Sequence, residues 1–158
     1  MKTLIVFYSR TEITKRVAQK IAEKLGADSE ELIDLQDRSG VIGYLKSGRD
    51  AVSKKFSDIE PIKKNPADYD LIILGTPTWA NNMACALRNY LIQTKGQIKN
   101  TACFATQGGN SVNKAVVNMA ELSGLKSMAD LVLTSKEVIK DSYQEKLLEF
   151  IEKLKWKS

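Results

Sequence analysis

A chain of 158 residues, 43% hydrophobic and 27% charged, has the length of one domain (1–158) and the composition of an ordinary globule. It contains no histidine, which excludes imidazole triads, histidine metal sites and imidazole acid–base catalysis, and its two cysteines, Cys85 and Cys103, lack CxxC spacing and read as buried free thiols of a reducing cytoplasm. The net charge is +5, with lysines spread rather than striped, and no apolar run approaches the roughly 20 residues of a bilayer span, so neither a nucleic-acid surface nor membrane insertion is expected.

Leu4, Ile5, Val6 and Phe7 form a continuous apolar run, the pattern of a strand buried on both faces of a parallel sheet rather than of a signal peptide. Val17, Ala18, Ile21, Ala22 and Leu25 then recur at helical spacing, and Gly26 ends that helix. Between strand and helix lies Ser9-Arg10-Thr11-Glu12-Ile13-Thr14, with three hydroxyls. A loop leaving a strand's carboxyl end and opening a helix presents free N–H groups and the positive end of the helix dipole, a setting for a phosphate. Thr11 or Thr14 capping the helix is the plainer alternative.

A short, acidic second strand is expected over Ser29–Leu35. The segment 36–55 is interrupted by Gly40, Gly43 and Gly48, and a crossover helix is expected near Gly48–Phe56. Leu71–Gly75 is a third strand and ends in Thr76-Pro77-Thr78-Trp79-Ala80-Asn81-Asn82, a turn-rich loop carrying a tryptophan. Ala84, Leu87 and Leu91 mark the inner face of the next helix. Thr101–Thr106 is a fourth strand leading to Gln107-Gly108-Gly109-Asn110-Ser111, where Asn110 or Ser111 can cap a helix containing Val112, Val116, Met119 and Ala120. Ala129–Leu133 is the fifth strand, and Tyr143, Leu147, Phe150, Ile151 and Leu154 mark the closing helix.

Strands alternating with helices give an α/β fold: a doubly wound, three-layer, five-stranded parallel sheet of order 2-1-3-4-5. That order puts the switch point between strands one and three, so the loops after strands one, three and four converge on one edge. Absent motifs narrow what they hold. There is no GxxxxGK[ST] and no GxGxxG after the first strand. Ser9 and Thr76 stand where a phospho-accepting receiver would carry carboxylates, and Leu91 and Gly109, six residues after each cysteine, exclude a Cys-x5-Arg phosphatase.

The first 25 residues, the GTPTWANN segment (75–82) and the FATQGG segment (104–109) resemble the flavodoxin family in its short-chain form, over nearly the whole chain. The resemblance implies non-covalent binding of FMN. The family pattern [ST]-x-T-G-x-T falls on Ser9 to Thr14, so that Ser9, Thr11 and Thr14 would donate hydroxyl hydrogen bonds to the phosphate, with the N–H groups of Arg10 to Thr14 completing the cradle. Glu12 departs from the pattern by occupying its glycine position, where positive φ and a nearby phosphate both disfavour glutamate. Pro77, Thr78, Trp79, Ala80, Asn81 and Asn82 would form one wall of the ring site, with Trp79 stacked on the flavin at an exposed cleft rim; a partly buried core position is the alternative for Trp79. Thr106, Gln107, Gly108 and Gly109 would cover the other face, since no aromatic lies between Phe104 and Tyr143, and Asn81 and Asn82 tolerate φ > 0.

Three functions remain open at this point: an electron carrier between redox partner proteins, an FMN-dependent NAD(P)H reductase of quinones or nitro compounds, and a flavin-free binding module. Carriers of the family are typically acidic. This basic chain is expected to dock on an acidic partner surface and to hold a less extreme second reduction potential.

Overall fold

The computed structural model describes residues 1–54 and 57–155. In chain order the elements are β1 (Thr3–Phe7), α1 (Ile13–Leu25), β2 (Asp28–Glu31), α2 (Gly40–Val52), a 3-10 turn (Pro66–Asp68), β3 (Leu71–Pro77), α3 (Cys85–Gln93), β4 (Thr101–Gln107), α4 (Ala115–Ser123), β5 (Ser127–Thr134), α5 (Ser135–Ile139) and α6 (Gln144–Lys155). The sheet is five-stranded and all parallel, in the expected order β2-β1-β3-β4-β5.

The apolar runs of β1 and β3 are explained by two cores, one on each face. Alternating side chains point to opposite sides of a strand. Leu4, Val6, Ile72 and Leu74 therefore meet Ala51 of α2, Leu87 and Leu91 of α3 and Met119 of α4. Ile5, Phe7, Leu71 and Ile73 meet Val17 and Ile21 of α1 and Leu147, Phe150 and Ile151 of α6. At Gly75 the ring of Phe104 in β4 occupies the space a side chain would need. Cys85 and Cys103 are buried free thiols, as expected. No helix among the described residues is long and apolar enough to cross a membrane.

Four differences from expectation bear on the site and its supports. β2 stops at Glu31 instead of Leu35, because the chain beyond it leaves β1 to pair antiparallel with residues 58–60: Leu35 N–H donates to Asp58 O at 2.9 Å and Glu60 N–H to Ile33 O at 3.0 Å. Within β2, the buried Glu30 accepts from Lys63 N–H (2.6 Å) and Lys64 N–H (2.9 Å) and so pins the approach to β3. α2 starts eight residues before the expected Gly48 and runs through both interior glycines; the expected end at Phe56 lies outside the described residues. Gly43 is required there because a Cβ would overlap the backbone of Arg38, folded against the helix start. α4 begins only at Ala115, leaving Val112 exposed outside it. Neither Asn110 nor Ser111 caps it; Asn113 Oδ1 accepts from Ala115 N–H at 2.8 Å instead. Finally α5, not anticipated, opens on a capping box in which Thr134 Oγ1 accepts from Glu137 N–H and the Glu137 carboxylate accepts from Thr134 N–H.

Candidate functional site

The loop after β1 turns into α1 through Glu12, whose φ of 64° is left-handed. The residue standing in the pattern's glycine position thus adopts the conformation a glycine would, at a cost of about 1–2 kcal/mol. Its exposed carboxylate reaches Lys15 Nζ at 3.9 Å, while Lys15 makes a closer pair with Glu31 at 2.9 Å. Neither Thr11 nor Thr14 caps α1. Ser9 Oγ accepts from Lys15 N–H at 3.2 Å, closing the loop on itself. Among the described residues nothing accepts from the backbone N–H of Arg10, Thr11, Glu12, Ile13 or Thr14. Five unpartnered donors at the positive end of a thirteen-residue helix make a phosphate-sized cradle.

The three loops are tied together by side chains. Thr14, buried, shares a 2.8 Å hydrogen bond with the hydroxyl of Thr106 at the end of β4. It therefore joins the first loop to the end of β4. Thr78 N–H donates to Thr106 O at 2.8 Å, extending β3 past Pro77 against β4. Asn113 Nδ2 bridges Thr78 Oγ1 (2.7 Å) and Gln107 Oε1 (2.9 Å), so the second and third loops share one amide. Gly108 and Gly109 are exposed beside them, with no atom near enough to hinder a side chain.

The second loop is a two-residue hairpin. Trp79 and Asn82 exchange backbone hydrogen bonds, both 2.9 Å, around Ala80 (φ 46°) and Asn81 (φ 61°). Two central residues at positive φ define a type I′ turn. The expected left-handed asparagine is therefore Asn81, and its partner in that role is Ala80 rather than Asn82. Asn81 Oδ1 also accepts from Lys114 N–H at 2.8 Å, clasping the hairpin tip to the start of α4.

Trp79 does not stand exposed at a rim. It is 5% exposed, with the Tyr8 ring meeting it edge-on at 5.4 Å and the Arg38 guanidinium 5.2 Å from its ring centroid. Burial of the Tyr8 hydroxyl in this cluster, reinforced by Asp34, pushes its pKa up to about 12. Arg38 is itself held by Asp34 (2.9 Å), Asp50 (3.0 Å) and Ser57 (2.8 Å), so a neutralised cation roofs the indole. Trp79 still lines a cavity of about 180 Å³ with Thr78, Ala80 and, from α2, Tyr44, Leu45 and Gly48. Tyr44 in turn stacks on Arg10 of the first loop, 5.5 Å from guanidinium to ring. The start of α2 thus bridges the first and second loops.

All sixteen expected site residues therefore belong to, or directly flank, the loops that meet at this rim. Thr14, Trp79, Asn82 and Thr106 are buried within it; Thr11, Glu12, Ala80, Asn81, Gly108 and Gly109 are exposed; and Ser9, Arg10, Ile13, Pro77, Thr78 and Gln107 are half-buried. Tyr8, Arg38, Tyr44 and Asn113 join them unanticipated. An aromatic directly after a buried strand was a readable signal for Tyr8. Periodicity does not mark Arg38, whose partners lie between 2 residues away, at Gln36, and 41 away, at Trp79.

The chain is similar to known proteins in sequence and in fold. A protein of Trichlorobacter lovleyi named NAD(P)H dehydrogenase (quinone) is 34% identical over 97 residues, 59% of this chain and 48% of that one, so the chain spans about half the length of that relative. A flavoprotein of Lactobacillus acidophilus NCFM, solved in complex with FMN, superposes with a TM-score of 0.72 at 28% identity, over 88% of this chain and 97% of that one. Oxidised flavodoxin 2 of Bacillus cereus matches over 100% of both chains with a TM-score of 0.62 at 17% identity, a likeness of fold alone. A family model described as Flavodoxin matches residues 2–154, and the chain accordingly belongs to the flavodoxin family.

Proposed function

We propose that this chain binds FMN at the rim formed by the β1–α1, β3–α3 and β4–α4 loops and serves as an electron carrier between redox proteins. The observation that carries this is the set of unpartnered N–H groups from Arg10 to Thr14, at a helix start, next to a cavity walled by the Trp79 hairpin. The residues present fit the group. The cradle supplies donors for a phosphate, Ser9 and Thr11 add hydroxyls, and Arg10 adds a cation. Trp79, Ala80, Tyr44 and Leu45 provide apolar surface for a flat ring, and Thr106 to Gly109, tied to the same hairpin through Thr78 and Asn113, would approach it from the third loop. When bound, FMN supplies one- and two-electron chemistry that no side chain of this chain can. The FMN complex of the relative from Lactobacillus acidophilus supports the same reading.

Arg10 on the first loop and Lys114 beside the hairpin tip, together with the net charge of +5, fit a partner that docks through an acidic surface. Buried free thiols fit a reducing compartment such as the cytoplasm.

One observation favours a second reading, an FMN-dependent NAD(P)H:quinone reductase: the partial match to the protein carrying that name. Anaerobic mixing of the FMN-loaded protein with NADPH separates the two. A carrier keeps its yellow absorbance until a flavoprotein reductase is added, whereas a reductase bleaches within seconds with NADPH alone and turns over on added quinone. Failure of FMN to quench tryptophan fluorescence or raise the melting temperature would overturn both.

A further inference from the structure

A second cleft, of about 330 Å³, opens beside the hairpin between α3 and α4 and is lined by Lys54, Asn82, Arg88, Asn118, Glu121 and Leu122. At its base is Arg88, 8% exposed. The two buried arginines of this protein are treated very differently. Arg38 is neutralised by two carboxylates at 2.9 and 3.0 Å. Arg88, among the described residues, pairs with none: Nη2 donates to the neutral Asn82 Oδ1 at 3.0 Å, and the buried Nε has no partner.

Buried charges are paired as a rule, because an uncompensated one is strongly destabilising. Burial accordingly pulls the Arg88 pKa down, and the Cys85 thiol is the one group that works against this. Asn82 Oδ1 is also oversubscribed. It accepts from Met83 N–H (2.8 Å), Arg88 Nη2 (3.0 Å) and Asn118 Nδ2 (3.0 Å), three donors on an oxygen with two lone pairs. A guanidinium, a primary amide and the Lys54 ammonium thus line one space in which Glu121 is the one anionic side chain among the lining residues.

We propose that this cleft is a binding site for a small oxoanion, a carboxylate or phosphate group, anchored by the Arg88 guanidinium and flanked by Asn118 and Lys54. The planar fork of arginine matches either group. Leu122 gives the carbon part of an organic acid an apolar wall. Glu121, exposed on the same rim, disfavours highly charged ligands and admits compact ones. Asn82 closes the Trp79 hairpin through its own backbone, so the cleft abuts that hairpin. The site involves neither the Arg10–Thr14 cradle nor bound FMN and stands whether or not that reading holds.

The test is an NMR titration of the full chain saturated with FMN, following the Arg88 Nε–Hε resonance, with inorganic phosphate and with succinate at constant ionic strength, sodium chloride serving as control. A saturable shift of Arg88 and of the Asn82 and Asn118 side-chain amides with at least one probe is expected. It should be abolished in Arg88→Met, weakened at least tenfold in Arg88→Lys, and tightened in Glu121→Gln, which removes the opposing carboxylate. Which probe saturates first tells phosphate from carboxylate. A shift that merely follows chloride overturns the proposal, as does perturbation confined to the Arg10–Thr14 backbone resonances. So does an Arg88 resonance that moves only on Glu121→Gln, since Glu121 would then be its counter-ion in solution. The wild-type titration reads the site even where a variant fails to fold.

Discussion

The guanidinium of Arg38 lies 5.2 Å from the ring centroid of Trp79, although the two residues are 41 positions apart and on opposite sides of β3 in the chain. Arg38 enters from the start of α2, with Asp34 and Asp50 gripping its fork and Ser57 holding its end. The cation over the indole is therefore fixed by its own counter-ions.

Replacing Arg38 by Met should leave Asp34 and Asp50 as buried, unpaired carboxylates. Breaking such a cluster at one member typically destabilises by about 3–5 kcal/mol. Urea unfolding should show that loss. The double variant Arg38→Met/Asp50→Asn should recover part of it, and strict additivity of the two changes would mean that the groups do not interact.

Trp79 serves both the core and the cavity, and two substitutions separate those roles. Trp79→Ala should lose about 3–5 kcal/mol of stability, as large buried aromatics do. Trp79→Phe keeps most of the packing and should retain the fold while weakening FMN and shifting the flavin absorbance. A Phe variant with unchanged FMN affinity and spectrum would assign Trp79 to the core alone.

Thr11 and Thr14 occupy the same loop but different environments, exposed and buried respectively. Thr11→Ala should weaken FMN far more than riboflavin, which lacks the phosphate, with little effect on melting. Thr14→Val should lower stability by about 1–3 kcal/mol, because it strands the Thr106 hydroxyl in the interior. Equal loss of FMN and riboflavin affinity in Thr11→Ala would move the phosphate elsewhere.

Glu12→Gly relieves left-handed backbone strain and removes a negative charge beside the cradle. The charge alone, worth about 1 kcal/mol at 4 Å in water, predicts FMN binding tighter by about fivefold. The gain should shrink at high salt. Fluorescence titration at two ionic strengths checks it, and weaker binding would show that the Glu12–Lys15 contact positions the loop.

Acid should unfold the protein through carboxylates depressed in the folded state. Lys146 holds the Glu137 carboxyl below its usual range, with the Thr134 N–H assisting. Burial alone would raise Asp50, but its bonds to Arg38 prevail and lower it. A group with a depressed folded pKa contributes stability above the ordinary carboxylate range and loses it as pH falls through its folded value. The melting temperature should therefore be nearly flat between about pH 7 and 5.5 and fall steeply below about pH 4.5, less steeply in Glu137→Gln.

The strand–helix alternation was legible because β1, β3 and β4 are buried on both faces, which imposes unbroken apolar runs, and from it the sheet order and the convergence of three loops followed. The hydroxyls and glycines of those loops were equally local signals. So was the Thr134-x-x-Glu137 capping box, although α5 was not read from it. The start of α2 was not legible, because Gly43 argues against a helix until the backbone of Arg38 is seen to require it. Nor was the burial of Trp79, since Tyr8 and Arg38 reach it from other elements, nor the isolation of Arg88, since an absent counter-ion leaves no mark on neighbouring residues. Periodicity and turn chemistry depend on neighbours along the chain, and so the sequence by itself determined the family's frame and its rim. Which side chains that frame encloses, and which charges it leaves without partners, depends on contacts between distant segments, and only the tertiary structure decided them.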